Sequence, residues 1–315
     1  MKSIAIVAVA FFTALAALAQ QSNPPQTQAP ASGTASQSQS SAAQTTPPAG
    51  HKVLQAQSQD ELKAYQEDFA LTDPAKLEAA ANEFSAKYPN SQLRGSLYVR
   101  AMNLYAQSNS TDKVIEAGRL AIAADPTNPI PLVQVASALA ESTRDTDLDR
   151  EQRLAEASKD AHAAIDNIDT GLLLPANADP ARVEGAKHSI LTMAYDTLGM
   201  IDLNKQDYAS AVTNLQKAIA QSPNNPEAVL YLRLSVAQDK LQQYPQALDS
   251  ANKAVQYAKD GTQAQNLAKQ QQARLQKLMS AQPAPGGAAP MSPSPAPTTQ
   301  PTPSPAPTAP SNPSH

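Results

Sequence analysis

The chain has no cysteine and no tryptophan among its 315 residues. Without cysteine there is no disulfide framework, no thiolate metal ligand and no thiol nucleophile, and no cysteine behind a leader to carry a lipid anchor. Aromatic residues are only 4% of the chain. A core must therefore be filled by Ala, Leu, Ile and Val, which suits closely packed helices better than a sandwich of strands. An excess of positive charge is missing as well. The net charge of −4 and pI near 5.6 leave no basic footprint for phosphate neutralisation, so nucleic acid is not an expected partner.

Signatures of catalysis are equally absent. There is no Gly-rich phosphate loop, no Gly-x-Ser-x-Gly elbow and no paired-carboxylate constellation. The four histidines, His51, His162, His188 and His315, show no metal-ligand spacing. Asp145-Thr146-Asp147-Leu148-Asp149, with Glu156 further on, superficially follows a calcium loop. The match fails at Arg150, where the sharp turn needs glycine, and at Gln152, where an apolar residue belongs. The expectation is a polar loop in which Asp149 or a neighbour caps the next helix. No enzyme activity, cofactor or metal is expected.

What is present begins with a leader. Lys2 precedes an apolar run over residues 4–18 broken only by Thr13, and Ala17-Leu18-Ala19 has the small-x-small form of a cleavage site. The run of 15 residues is short of the roughly 20 needed to cross a bilayer. Residues 1–19 are thus expected to be a cleaved signal peptide, giving an exported chain, periplasmic or secreted, with no membrane span left. An uncleaved N-terminal anchor is the alternative.

Composition then divides the chain. Residues 20–50 are mostly Gln, Ser, Thr, Ala and Pro without an Asp, Glu, Lys or Arg, and 282–315 largely alternate Pro with Ala, Ser and Thr, again without one. Neither stretch has the apolar surface to offset the entropy of ordering. The expectation is a disordered linker over 20–57 and a Pro-rich tail over 282–315 that samples extended polyproline II as a spacer. Twelve of the 27 prolines fall in the tail and five in the linker. The rest stand where helices are expected to start or stop, the positions a helix tolerates. Every charged side chain except Lys2 lies within 51–281, which marks the folded part.

That part repeats. Tyr195, Leu198, Tyr208, Ala211 and Ala218 recur as Tyr231, Leu234, Tyr244, Ala247 and Ala254, each at an offset of 36. Upstream, Tyr98, Ala121, Ile122, Pro126 and Asn128 precede Tyr195, Ala218, Ile219, Pro223 and Asn225 by 97. Each unit reads as two helices joined by a short polar turn. Gly199, Ala211 and Ala218 are small enough for paired helices to approach closely.

Tyr195-x-x-Leu198-Gly199, then Asp207-Tyr208-x-x-Ala211, Leu215, Ala218 and Ser222-Pro223-Asn224, resembles the tetratricopeptide repeat. The resemblance covers residues 58–281: repeats at 192–225 and 228–261 are clearest, 95–128 is weaker, and 58–93 and 129–167 are degenerate. Ser235 replaces the small glycine in one unit, and Val114 and Gly118 depart from the pattern in another. Residues 263–281 read as a polar capping helix, which a repeat stack needs. The resemblance implies an all-α, right-handed solenoid of antiparallel helix hairpins; the competing fold is a non-repeating helical domain. It also implies a groove lined by first helices. Its positions here include Val99, Arg100 and Asn103, then Asp196, Met200 and Asn204, then Leu232, Arg233, Val236 and Lys240. Arg100, Asn103, Asn204, Arg233 and Lys240 are the candidates for holding a protein or peptide partner. Binding of such a partner in the cell envelope, with envelope assembly as one setting for it, is the expected function. The alternative is a structural tether that self-associates without a defined ligand.

Overall fold

A computed structural model describes Lys52, residues 54–173 and residues 178–281. The expected signal peptide, most of the linker and the Pro-rich tail lie outside the described residues. Eleven α-helices follow one another and no strand is present among the described residues. They form five antiparallel hairpins: α1 (Gln59–Phe69) with α2 (Pro74–Lys87), α3 (Arg94–Gln107) with α4 (Thr111–Ala124), α5 (Pro129–Ser142) with α6 (Arg150–Asp166), α7 (Pro180–Asn204) with α8 (Tyr208–Gln221), and α9 (Ala228–Lys240) with α10 (Tyr244–Tyr257). The last helix, α11 (Gln263–Ala281), covers both α9 and α10. The fold is a tetratricopeptide-like stack.

Local chemistry starts the helices. Ser58 caps α1 by accepting from the Glu61 amide at 3.1 Å, while the Glu61 carboxylate reaches back to accept from the Gln57 amide, one residue before the cap, at 2.6 Å. Asp73, Asn128, Asp179 and Asp207 cap α2, α5, α7 and α8 through their side chains. Prolines occupy the first turns of α2, α5, α7 and α10, where no intrahelical N–H is lost. One expectation needs correction. Asp149 stands at the start of α6, but its side chain makes no capping hydrogen bond. The loop is held instead by Asp147, which accepts from the Arg144 amide at 2.8 Å, and by Arg150, which donates to the Asn204 carbonyl at 2.7 Å.

The turns inside three hairpins share an unusual backbone. Asn109, Gln206 and Gln242 have φ of 55°, 62° and 60°, and they stand at the same offsets, 97 and 36, as the side-chain repeat. At each, the following amide reaches back over the turn: Ser110 to the Tyr105 carbonyl, Asp207 to Asp202 and Gln243 to Gln238, at 3.0, 2.9 and 2.9 Å. This is the Schellman arrangement, in which a left-handed residue lets orphan carbonyls of the helix end be satisfied. The third hairpin lacks it, because residues 143–149 are inserted there.

Close approach sets the pairing within hairpins. A Cβ on Gly199 would lie 2.7 Å from Leu215 Cγ, so only glycine lets α7 and α8 meet as they do. Gly118 of α4 is as tightly placed against Val135 of α5, so that departure from the repeat pattern serves a close approach between neighbouring hairpins. Where Ser235 replaces the small glycine, its hydroxyl donates to the Ala247 carbonyl of α10 at 2.7 Å and is fully buried. Gly171, in the connection after α6, passes so close to the Thr127 carbonyl that a Cβ would lie 1.8 Å from it.

Between hairpins the packing is asymmetric. First helices touch successive first helices, α1 to α3, α3 to α5, α5 to α7, α7 to α9 and α9 to α11. Each second helix packs instead on its own partner and on the next first helix. The first-helix layer is therefore the more closely spaced, and the stack curves with that layer on the concave side. Chain preceding α1 runs across the loops between hairpins: Gln57 reaches the Asn90 carbonyl at 3.2 Å, Lys52 pairs with Asp125 at 2.8 Å, and Lys52 bridges to Leu173.

Three substitutions test this account. Gln206→Gly and Gln242→Gly should each raise stability by about 1 kcal/mol in urea unfolding, because a left-handed conformation costs a side-chain-bearing residue about 1–2 kcal/mol. Gly199→Ala gains helix propensity but must displace Leu215, so a net loss of about 1–2 kcal/mol is expected. A stabilised Gly199→Ala protein would show that the helices have room to spare.

Candidate functional site

The concave layer carries most of the unusual polar chemistry. Arg233 on α9 and Asp196 on α7 form a buried ion pair between neighbouring hairpins, their side chains only 3% and 7% exposed. Tyr195, Leu198 and the Gly199 contact hold this face of α7 in place, and Leu230 and Leu234 do the same for α9. Asp196 uses one carboxylate oxygen for Arg233, and its other oxygen is buried without a hydrogen-bond partner.

Two more carboxylates sit in the field of this pair. Glu227 immediately precedes α9, half-buried. Desolvation pushes its carboxyl up to about 7; the Asp196 charge adds to the rise and Arg233 opposes it. Glu141, in the last turn of α5, is likewise pushed up to about 7 by desolvation, with Arg233 pulling it down and Asp196 pushing it up. Glu141 nonetheless reaches solvent. A carboxylate on the wall of a concave face has both properties, open on one side and surrounded by protein on the others. Ser137 donates to Glu141 at 3.3 Å from one turn earlier on α5. A further step back on the same stripe, Gln134 is 2% exposed and its side-chain oxygen has no partner. The Thr197 hydroxyl on α7 is also buried and unpartnered.

The candidates read from sequence are placed differently from one another. Arg233 is brought against Asp196 and is committed to that pair, so it is not a free cation in the groove. Lys240 is exposed at the end of α9. Asn204 is exposed at the end of α7, with its carbonyl taken by Arg150. Arg100 and Asn103 are half-buried on α3. The Arg100 guanidinium lies 4.5 Å from the centroid of the Phe69 ring and donates to the Leu71 carbonyl at 3.4 Å, which ties it to the α1–α2 connection. Its Nε is buried and unpartnered, and desolvation lowers its pKa. Val99 and Leu232 are buried, and Met200 and Val236 half-buried. Sequence reasoning missed Glu141, Glu227 and Gln134. Their one local signal was polarity in first-helix stretches, which is also what a solvated surface looks like.

Elsewhere, His162 shares a hydrogen bond with the Ser158 carbonyl at 2.7 Å and His188 with Gln221 at 3.1 Å. Among the described residues no three His, Asp or Glu side chains are grouped so as to hold a metal ion, and no helix is long and apolar enough to cross a membrane.

No family model matches the chain, and no curated protein matches its sequence. Among solved structures, the chain is similar to the APC/C hetero-tetramer Cut9–Hcn1, with 15% identity and a TM-score of 0.33 over 70% of this chain. It spans 42% of that chain's length. It is also similar to Acl4, an assembly chaperone of RpL4, with 10% identity and a TM-score of 0.36, over 70% of this chain and 98% of that one.

The ion pair and its two neighbours define the energetics. Arg233→Met leaves Asp196 buried without a counter-charge, and a loss of about 3–5 kcal/mol in chemical denaturation is expected. Glu227 has the opposite sign. Its folded form holds a proton to higher pH than the unfolded carboxyl, so its contribution is present below about 4.5 and lost as pH rises through about 7. Glu227→Gln should therefore raise the melting temperature at pH 8 and leave it little changed at pH 4.5. A variant less stable than the parent at pH 8 would contradict this reading.

Proposed function

We propose that this chain is an exported scaffold that binds a segment of another protein along its first-helix face. The observation that carries the reading is the packing of successive first helices against one another, from α1 to α11, which gives the stack one continuous inner layer. Asn204 at the end of α7 and Lys240 at the end of α9 are exposed polar side chains of that layer, open to the amides and carbonyls of an extended segment laid across it.

Export rests on the leader: Lys2, the apolar run over 4–18 and Ala17-Leu18-Ala19. The uncharged stretches 20–50 and 282–315 then act as spacers that let the stack reach its partner within the envelope. The role is recognition and positioning, not catalysis.

In-cell crosslinking with the full chain as bait, followed by mass spectrometry, tests the proposal, with a 51–281 fragment in parallel. One dominant partner retained by 51–281, on a mature protein whose first residue is Gln20, is the expected result. Capture of the chain alone would replace binding with self-association, and an intact leader on a cytoplasmic protein would remove export.

A further inference from the structure

In a stack of repeats each unit touches its neighbours, so an end unit, covered on one side only, is the first to fray. The first hairpin is poorly packed against that. α1 rests on α2 more lightly than the two helices of any other hairpin rest on each other. Additional contacts come from residues 52–57, just ahead of α1. Leu54 and Ala56 are half-buried and pack on the apolar core that joins α2 to α6. The Gln57 amide donates to the Glu61 carboxylate of α1 at 2.6 Å, and its side chain donates to the Asn90 carbonyl, in the connection after α2, at 3.2 Å. Lys52 lies further along the same edge. Its ammonium donates to Asp125 Oδ1 at 2.8 Å and to the Thr127 hydroxyl, both in the connection after α4. Its backbone forms a parallel bridge with Leu173, in the connection after α6. The receiving side is built for this. Asp125, its side chain 17% exposed, also accepts from the Thr127 amide at 3.2 Å and from the Thr127 hydroxyl at 2.9 Å, which sets the two groups side by side. Gly171 brings the α6–α7 connection against the Thr127 carbonyl, where any Cβ would clash.

We propose that residues 52–57 are a clasp that ties the first hairpin to the connections after the second and third, so that these three hairpins open as one unit. Such a tie joins units that are not neighbours, which stacking alone does not do. An exposed ion pair by itself contributes little. The clasp draws on the ion pair, the Thr127 hydroxyl, the backbone bridge and the apolar contacts of Leu54 and Ala56 together. Lys52 is also where the preceding chain joins the stack, so that chain arrives beside the α6–α7 connection and not at the free side of α1. The clasp acts whatever the stack binds.

Hydrogen exchange read by mass spectrometry on the full chain tests this, with Lys52→Gln, Asp125→Asn and the two combined. Peptides from α10 report global stability in the same sample. Lys52→Gln should speed exchange about fivefold across α1 to α6 and leave α10 unchanged. Because the two side chains act through one contact, the double variant should exchange no faster than Asp125→Asn alone. Exchange like the parent's in Lys52→Gln, a rise confined to α1, a rise that reaches α10 equally, or effects that multiply in the double variant would each overturn the clasp. A second variant tests its placement. The chain has no cysteine, so Lys52→Cys/Leu173→Cys introduces the only two thiols. Bridged residues lie about 5 Å apart, within reach of a disulfide. The two cysteines should cross-link on mild oxidation of the folded protein, seen as a linked peptide pair after digestion. A folded protein that keeps both thiols free would overturn the proposal.

Discussion

Two helices of one hairpin in this chain meet at residues with almost no side chain, and the stacking of hairpins builds on that contact. Gly199 against Leu215 and Ser235 against the Ala247 carbonyl are two chemical solutions to this steric demand, and Gly118 against Val135 meets a like demand between neighbouring hairpins. The serine shows what the demand consists of. A hydroxyl is acceptable at the crossing because a backbone carbonyl lies within reach, so volume and polarity are both satisfied. Once each hairpin is closed in this way, it exposes an apolar face on either side, and stacking is the available means of burying it. The polar helix α11 ends the series by covering the last such face with Ala268 and Leu275 while presenting Gln and Lys to solvent.

Stacking of this kind spaces the first helices more closely than the second and brings their inner faces together. Asp196 and Arg233 of adjacent hairpins then meet away from water, where charges act strongly on one another. The pair between Asp196 and Arg233 is a consequence. It links adjacent hairpins across an interface that is otherwise apolar, with Leu215, Ala218, Leu230 and Leu234 at its centre. Glu141, which accepts from Ser137, and Glu227 make no ion pair with it, and desolvation holds both carboxyls well above the usual range.

Legibility in the sequence differed by level. The hairpins were readable because local rules specify them: Tyr195, Leu198, Tyr208 and Ala211 recur at a constant offset, and prolines sit only where a first turn or a loop accepts them. Even the left-handed residues of the turns, Asn109, Gln206 and Gln242, keep those offsets, although none is glycine and the side chains gave no warning. The insertion before α6 was harder. Asp149 has the right identity and position for a cap, but Arg150 and Asp147 organise the loop through partners on other elements. Arg233 illustrates the same limit at the site. Its placement on a first helix suits ligand binding, and only the arrival of Asp196 from the preceding hairpin turns it into a core ion pair.

What the sequence by itself determined is therefore the unit: helix periodicity, small residues at crossings, capping residues and turn lengths are all set by neighbours within a few positions along the chain. It also determined where charge is absent, namely the uncharged stretches on either side of the folded part. Only the tertiary structure decided which face is concave, which polar groups lose their water there, and that Glu141, Asp196, Glu227 and Arg233, spread over 93 positions of sequence, act on one another. The physical reason is range. Hydrogen bonds of caps and turns are satisfied locally, whereas desolvation and charge coupling depend on whatever the stack places alongside, and no periodicity within one repeat encodes that.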